Sequence, residues 1–202
     1  MGVKAALFDF GGVLVLSDAY PKREQWEARL GMEPGALASF VFNSDPMLQA
    51  TLGKISVDAM WRALGEALGL KAGEYRQLYG DFFGGEYLNQ ELLDFARSLR
   101  ADYRVAILSN AWTNARQVFT EGYALDAIFD PLIISAEVGL AKPDPAIYHL
   151  AVERLDSRPE EVVFLDDSLT NVEAARAVGL RAVHYQGNAQ AIAEMKAHLA
   201  AG

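Results

Sequence analysis

"LFDFGGVLV", from Leu7 to Val15, is an apolar run that delivers one carboxylate, Asp9, and then breaks at Gly11 and Gly12. A run apolar on both faces reads as a strand buried on both sides, the kind found in parallel sheets. Its strand spans Lys4–Phe10, and similar runs recur at Arg104–Ser109, Glu161–Asp166 and Arg181–Tyr185, with a shorter one at Leu132–Ser135. Helical patterns separate them, at Asn89–Arg100, Thr113–Glu121, Pro145–Arg154, Thr170–Val178 and Asn188–Ala200. This alternation predicts right-handed βαβ units and an α/β fold, a Rossmann-like parallel sheet covered on both faces. Thr170 or Asn171 can open one helix and Gly179 close it, while "SRPEE" (Ser157–Glu161) turns into a strand. Such sheets hold ligands beyond the carboxyl ends of their strands. Asp9, Ser109 and Asp166 each stand at such an end.

Between Leu16 and Gly85 the alternation stops, and the chain reads as helices only: Tyr20–Leu30, Pro34–Asn43, Pro46–Leu52, Ser56–Leu68 and Gly73–Phe83. Ser56 is a fitting N-cap, followed by Val57, Met60, Trp61, Leu64 and Leu68 at helical spacing. The expectation is a core domain of residues 1–16 and 86–202 with a helical cap domain, residues 17–85, inserted above the strand ends.

The 202 residues carry a net charge of −9, which argues against a partner bound through a nucleic-acid backbone. A local site for an anion remains possible. There is no cysteine, so a thiol nucleophile, zinc thiolates and disulfides are excluded. No signal-peptide pattern opens the chain, and Ala6 stands where a myristoylation site has Ser or Thr. No apolar run reaches membrane-spanning length. A cytoplasmic protein without nucleic-acid or membrane partners is expected.

Phosphoryl transfer needs a nucleophile, a cation and fixed donors for the equatorial oxygens. Asp9 can serve as nucleophile and Mg²⁺ ligand, the Gly11 carbonyl as a further ligand, and the Gly11-Gly12 turn brings backbone N–H groups close to a phosphate. A plain strand-ending Asp before a tight turn is the bland alternative. "ILSNA" (Ile107–Ala111) offers Ser109 and Asn110 as neutral donors or as a helix N-cap. "GLAKPDPAIY" (Gly139–Tyr148) offers Lys142 as a fixed ammonium or as a merely solvated one. "VVFLDDSLTN" (Val162–Asn171) sets Asp166 beside Asp167, a pair suited to a hard cation, although helix-start acids also occur by dipole preference.

Taken in order, "DFGGVL" (Asp9–Leu14), "SN" (Ser109-Asn110), "KPDPAIY" (Lys142–Tyr148) and "DDSLTNVEAARAVG" (Asp166–Gly179) resemble the haloacid dehalogenase superfamily of aspartyl phosphotransferases along nearly the whole chain. The cap between the first two motifs matches the branch with its cap in that place. Gly11 and "LGKIS" (Leu52–Ser56) are similar to the small sugar-phosphate phosphatases, the glucose-1-phosphate type among them. The resemblance implies Asp9 as the nucleophile that becomes an aspartyl-phosphate. Mg²⁺ would be held by Asp9, the Gly11 carbonyl and Asp167, with Asp166 acting through water. Gly12, Ser109, Asn110 and Lys142 would hold the phosphoryl group, and Asn171 would support the metal loop. The implied activity is hydrolysis of a small phosphorylated metabolite, a sugar phosphate first.

The departure is Gly11, where most family phosphatases carry an Asp as general acid and base, a role contributing roughly 10²–10⁴-fold. Its loss disfavours mutase chemistry and suits a leaving group that needs little protonation, such as an anomeric oxygen. Water, Asp18 or Asp45 are candidates for the second step. A 2-haloacid dehalogenase and a catalytically silent member that binds a phosphorylated ligand or a protein are the rival readings. His149 and His198 draw no role, and His184, ending a strand, merits inspection. Trp26, Trp61 and Trp112 read as packing, with Trp112, just after Asn110, the exception.

Overall fold

The computed structural model describes residues 2–200, so the domain bounds drawn at 1 and 202 reach past them. Its main sheet runs in the order β5-β4-β1-β6-β7, and all its pairings are parallel. The strands are β1 (Ala5–Phe8), β4 (Arg104–Ser109), β5 (Leu132–Ile134), β6 (Val162–Asp166) and β7 (Arg181–His184). In register, Leu7 of the central strand lies between Ala106 and Phe164. All four β1 residues are fully buried, because successive side chains enter opposite layers. Ala6 and Phe8 face a core with α6 (Gln90–Leu99) and α11 (Asn188–Ala200). Ala5 and Leu7 face a second core with α9 (Pro145–Arg154) and α10 (Leu169–Ala177).

Helices α1 (Pro21–Leu30), α2 (Ala36–Phe42), α3 (Asp45–Thr51), α4 (Val57–Ala67) and α5 (Glu74–Phe82) share a third core around Trp26, Leu37, Met60, Trp61, Leu78 and Phe82. Ser44 and Ser56 accept from Met47 N–H and Ala59 N–H, each at 3.2 Å, and so cap α3 and α4. Gly53 sets this bundle against the core. At φ +70° it stands where a Cβ would lie 2.0 Å from the Ala136 carbonyl oxygen.

Four details correct the expectations. The insertion is not purely helical at its roots: β2 (Val15–Ser17) pairs antiparallel with β3 (Glu86–Leu88), Val15 opposite Leu88. Expected helix Thr113–Glu121 is a short α7 (Ala115–Gln117) continued by a π-turn, Val118–Gly122, that buries Phe119 and leaves Val118 exposed. Helix α10 starts at Leu169 after Ser168, with Thr170 and Asn171 inside its first turn. Asp166 accounts for the earlier start, since it accepts the Ser168 N–H at 2.8 Å. Strand β5 stops at Ile134, and Ser135 instead opens α8 (Ser135–Val138).

Buried Asn89 ties the first-motif loop to the rest of the core. Its amide N–H groups donate to the Val13 carbonyl (2.9 Å) and the Asn188 side chain (2.7 Å), while its oxygen accepts from Asn188 (2.9 Å). We expect Asn89→Ala to lose about 2–4 kcal/mol in denaturant unfolding, because buried groups on both sides lose partners. A loss under about 0.5 kcal/mol would show the network to be dispensable.

Candidate active site

Strands β1 and β6 end side by side, and each delivers a carboxylate there. Asp9 follows β1, with its N–H continuing the ladder to the Leu165 carbonyl at 2.9 Å, and Asp166 closes β6. Between them lies the Lys142 ammonium, 2.8 Å from Asp9 Oδ1 and 2.6 Å from Asp166 Oδ2, its side chain 1% exposed. Burial alone would lower the Lys142 pKa, but Asp9 and then Asp166 outweigh it and hold the group above its ordinary value. Asp9 is raised, chiefly by burial, with Asp166 adding to the shift and Lys142 opposing it. Its Oδ1 also accepts the Phe10 N–H at 2.7 Å.

Asp166 is fully buried and its oxygens are engaged. Oδ1 accepts from Ser168 N–H and from Asn171 Nδ2 at 3.0 Å, while Oδ2 takes Lys142. Asp167, by contrast, is exposed and lines the cavity above the strand ends. One oxygen from each of Asp9, Asp166 and Asp167 lies within 4.8 Å of the others. Three carboxylates and one ammonium leave two net negative charges, which one divalent cation neutralises. An all-oxygen donor set of this kind suits Mg²⁺.

The cavity has a volume of ≈ 660 Å³ and lies between the sheet and the helical cap. Asp9, Gly11, Gly12, Ser109, Asn110 and Lys142 all line it, as does Asn171. Asn110 does more than line it: its side chain exchanges two hydrogen bonds with the Lys142 backbone, both 2.8 Å, and so clamps the lysine loop. Ala115, not Ser109 or Asn110, begins the following helix. The Gly12 N–H is already given to the Val15 carbonyl at 2.9 Å, which corrects the expectation that it points at a phosphate. Gly12 contributes the absence of a side chain, since a Cβ there would stand 2.2 Å from Asp167 Oδ2.

Other expectations move. Neither Asp18 nor Asp45 lines the cavity; Asp18 accepts from Tyr87 OH at 2.9 Å and Asp45 from Gln49 at 3.3 Å. His184 holds its ring nitrogen 2.9 Å from the Asp167 carbonyl, beneath the acidic loop. Trp112 lines the cavity and also packs on the cap, 5.6 Å from Phe83. Sequence reading missed the carboxylate of Glu86, contributed by β3 at the cavity wall. The signal was absent, because a three-residue strand pairing across the whole insertion has no local pattern.

The two adjacent glycines should part company on substitution. Around a Cβ at Gly11 nothing lies within 4 Å, whereas Gly12 has φ +73° and the Asp167 clash. We expect Gly11→Ala to keep Mg²⁺ affinity within about twofold in calorimetry and Gly12→Ala to lose at least tenfold. Equal effects would contradict the packing of Asp167 over Gly12.

Residues 3–179 match the haloacid dehalogenase-like hydrolases. The chain is 30% identical to the D-ribitol-5-phosphate phosphatase of Bacteroides thetaiotaomicron, over 88% of this chain and 89% of that protein. It is also 30% identical to the sesquiterpene phosphatase astK of Aspergillus oryzae, over 90% and 89% of the two. The chain spans about two fifths (39%) of the mouse bifunctional epoxide hydrolase 2 that it also matches. A haloacid dehalogenase family enzyme of B. thetaiotaomicron, solved with magnesium and inorganic phosphate, has the same fold at TM-score 0.76 and 24% identity, covering 92% of this chain and 95% of that one. With its parallel sheet, its strand-end carboxylates and a family match over most of its length, the chain belongs to the haloacid dehalogenase-like hydrolases.

Proposed function

We propose that this hydrolase is a cytoplasmic, Mg²⁺-dependent phosphatase that cleaves a small phosphomonoester through an aspartyl-phosphate on Asp9. The observation that carries the reading is the buried ammonium of Lys142 shared by Asp9 and Asp166, with Asp167 free at the cavity wall. Asp9, Asp167 and the Gly11 carbonyl would hold Mg²⁺, with Asp166, whose oxygens are engaged, reaching it through water. When bound, the ion neutralises charge on the phosphoryl oxygens.

In the first step an Asp9 oxygen attacks phosphorus and the bond from phosphorus to the ester oxygen breaks. Lys142 stays beside Asp9 and, with the Ser109 hydroxyl, faces the transferring group. The departing oxygen takes its proton from water, because Gly11 offers no acid. In the second step water attacks phosphorus, freeing phosphate and restoring the Asp9 carboxylate. Asn110 acts by holding the Lys142 backbone, and Asn171 by orienting Asp166.

The expectation of a sugar as the organic group comes from Gly11 and Leu52–Ser56, and likeness to the D-ribitol-5-phosphate phosphatase supports it. A dehalogenase reading is disfavoured by the acidic cluster, since a halocarboxylate needs no cation.

Asp9→Asn should cut phosphate release at least about 10³-fold, by loss of the nucleophile, and chelation should silence the native protein. Substantial turnover by Asp9→Asn overturns the covalent mechanism. Metal-free chloride release from 2-chloropropionate would support the dehalogenase instead. Asp167→Ala should raise the half-saturating Mg²⁺ concentration at least tenfold. Asp166→Ala should act chiefly on stability, by about 3–5 kcal/mol, because it strips the buried Lys142 ammonium of one of its two partners. A larger metal effect at Asp166 would reverse the two assignments.

A further inference from the structure

Beyond its phosphoryl end the cavity changes character. Phe10 packs on Phe119, with centroids 4.3 Å apart, and Tyr123 lies 5.9 Å from the Phe10 ring. Phe83, Trp112 and Tyr79 line the cavity as well, in contact with one another through Trp112. At the mouth, Phe42 is 48% exposed and Val118 37%. Val118 belongs to the π-turn, a distortion frequent at functional sites.

Several polar groups along this wall are already engaged. Arg23 donates twice to the Phe82 carbonyl (3.1 and 2.9 Å), and its guanidinium lies 3.6 Å from the Tyr20 ring centroid and 4.2 Å from that of Phe82. Asn114 gives its amide to Tyr79 OH at 2.9 Å, and the Trp112 indole N–H points to the Met47 sulfur at 3.2 Å. Glu86 shares its corner with the Arg23 charge. A sugar entering here gives up water at each hydroxyl and meets aromatic rings more than polar partners, since Arg23, Trp112 and the Asn114 amide are engaged elsewhere; an apolar group escapes that penalty. Gly11 adds an independent restriction. With no carboxylate at that position, an ester oxygen of low basicity leaves more readily than an ordinary alkoxide.

We infer that the organic group of the substrate is apolar, a phenol or another hydrocarbon alcohol of low basicity, and that the wall formed by Phe42, Phe83, Trp112, Val118 and Phe119 selects it. This rests on the phosphatase reading and stands as an alternative to the expected sugar.

Three probes with nearly equal leaving groups test it: phenyl phosphate, 4-propylphenyl phosphate and 4-(2,3-dihydroxypropyl)phenyl phosphate, each with Mg²⁺. The expected kcat/KM for the propyl ester exceeds that for its diol at least about thirtyfold, from two hydroxyls buried without partners. Phe42→Asn and Val118→Asn, both at exposed positions, should narrow that gap several-fold. Turnover of phenyl phosphate with equal values for propyl ester and diol, or preference for the diol, overturns the inference and leaves the phosphatase reading intact. A gap that survives both substitutions overturns the assignment to this wall. Absence of turnover with all three overturns the inference, and turnover of D-ribitol 5-phosphate in the same assay would show that the phosphatase reading survives it.

Discussion

A lysine ammonium buried between two carboxylates is the interaction on which the rest of this molecule depends. Lys142 lies within 3 Å of both Asp9 and Asp166, and all three are nine-tenths or more buried. Burying any one of these charges alone costs several kcal/mol, and only the mutual pairing with further hydrogen bonds makes the set tolerable. Those further bonds are present: Phe10 N–H on Asp9, Ser168 N–H and Asn171 on Asp166, and the Asn110 clamp on the lysine backbone. Four separate stretches of the chain are thereby held to one point at the carboxyl edge of the sheet.

That point defines the electrostatics of the cavity above it. One ammonium cannot balance three carboxylates, so the site retains a negative charge that favours a divalent cation, and only with such a cation does it become hospitable to a phosphate dianion. The surplus is placed on Asp167, the carboxylate at the cavity wall, rather than on Asp166, which is sealed beneath. Gly12 makes that placement possible by leaving its own side-chain position to the Asp167 carboxylate. The cap closes the other side, docked through Gly53 against Ala136 and through Trp112 among its own aromatic residues. Covering the strand ends in this way strengthens each charge interaction beneath.

Much of this was legible in the amino-acid sequence, for identifiable physical reasons. Strands buried on both faces write themselves as continuous apolar runs, and β4 was expected with the bounds it has, Arg104–Ser109. Helix α9 likewise carries its own punctuation, with Asp144 capping it and Pro145 in its first turn. The β2–β3 pair was not legible, because its partners come from opposite ends of the insertion and the pairing is tertiary. Nor was the π-turn, whose Phe119 packs on the distant Phe10. At the site, Asp9, Lys142 and Asp166 announced themselves by strand ends and adjoining motifs. Aromatic residues along the cavity did not, since Tyr79 on an amphipathic helix, or Phe83 just past its end, reads the same whether it faces a core or a ligand. Asn110 was read as a phosphate donor because its partner, the Lys142 backbone, is remote in sequence.

The claim at the centre is that Asp9, held in place by Lys142, becomes covalently phosphorylated. Quenching the native protein in acid during turnover of phenyl phosphate, then digesting it, reads this directly by mass spectrometry. The peptide containing Asp9 should carry one phosphoryl group, located on that residue and absent when Mg²⁺ is chelated. An unmodified Asp9 peptide during steady turnover, or a phosphoryl group on another side chain, would contradict it.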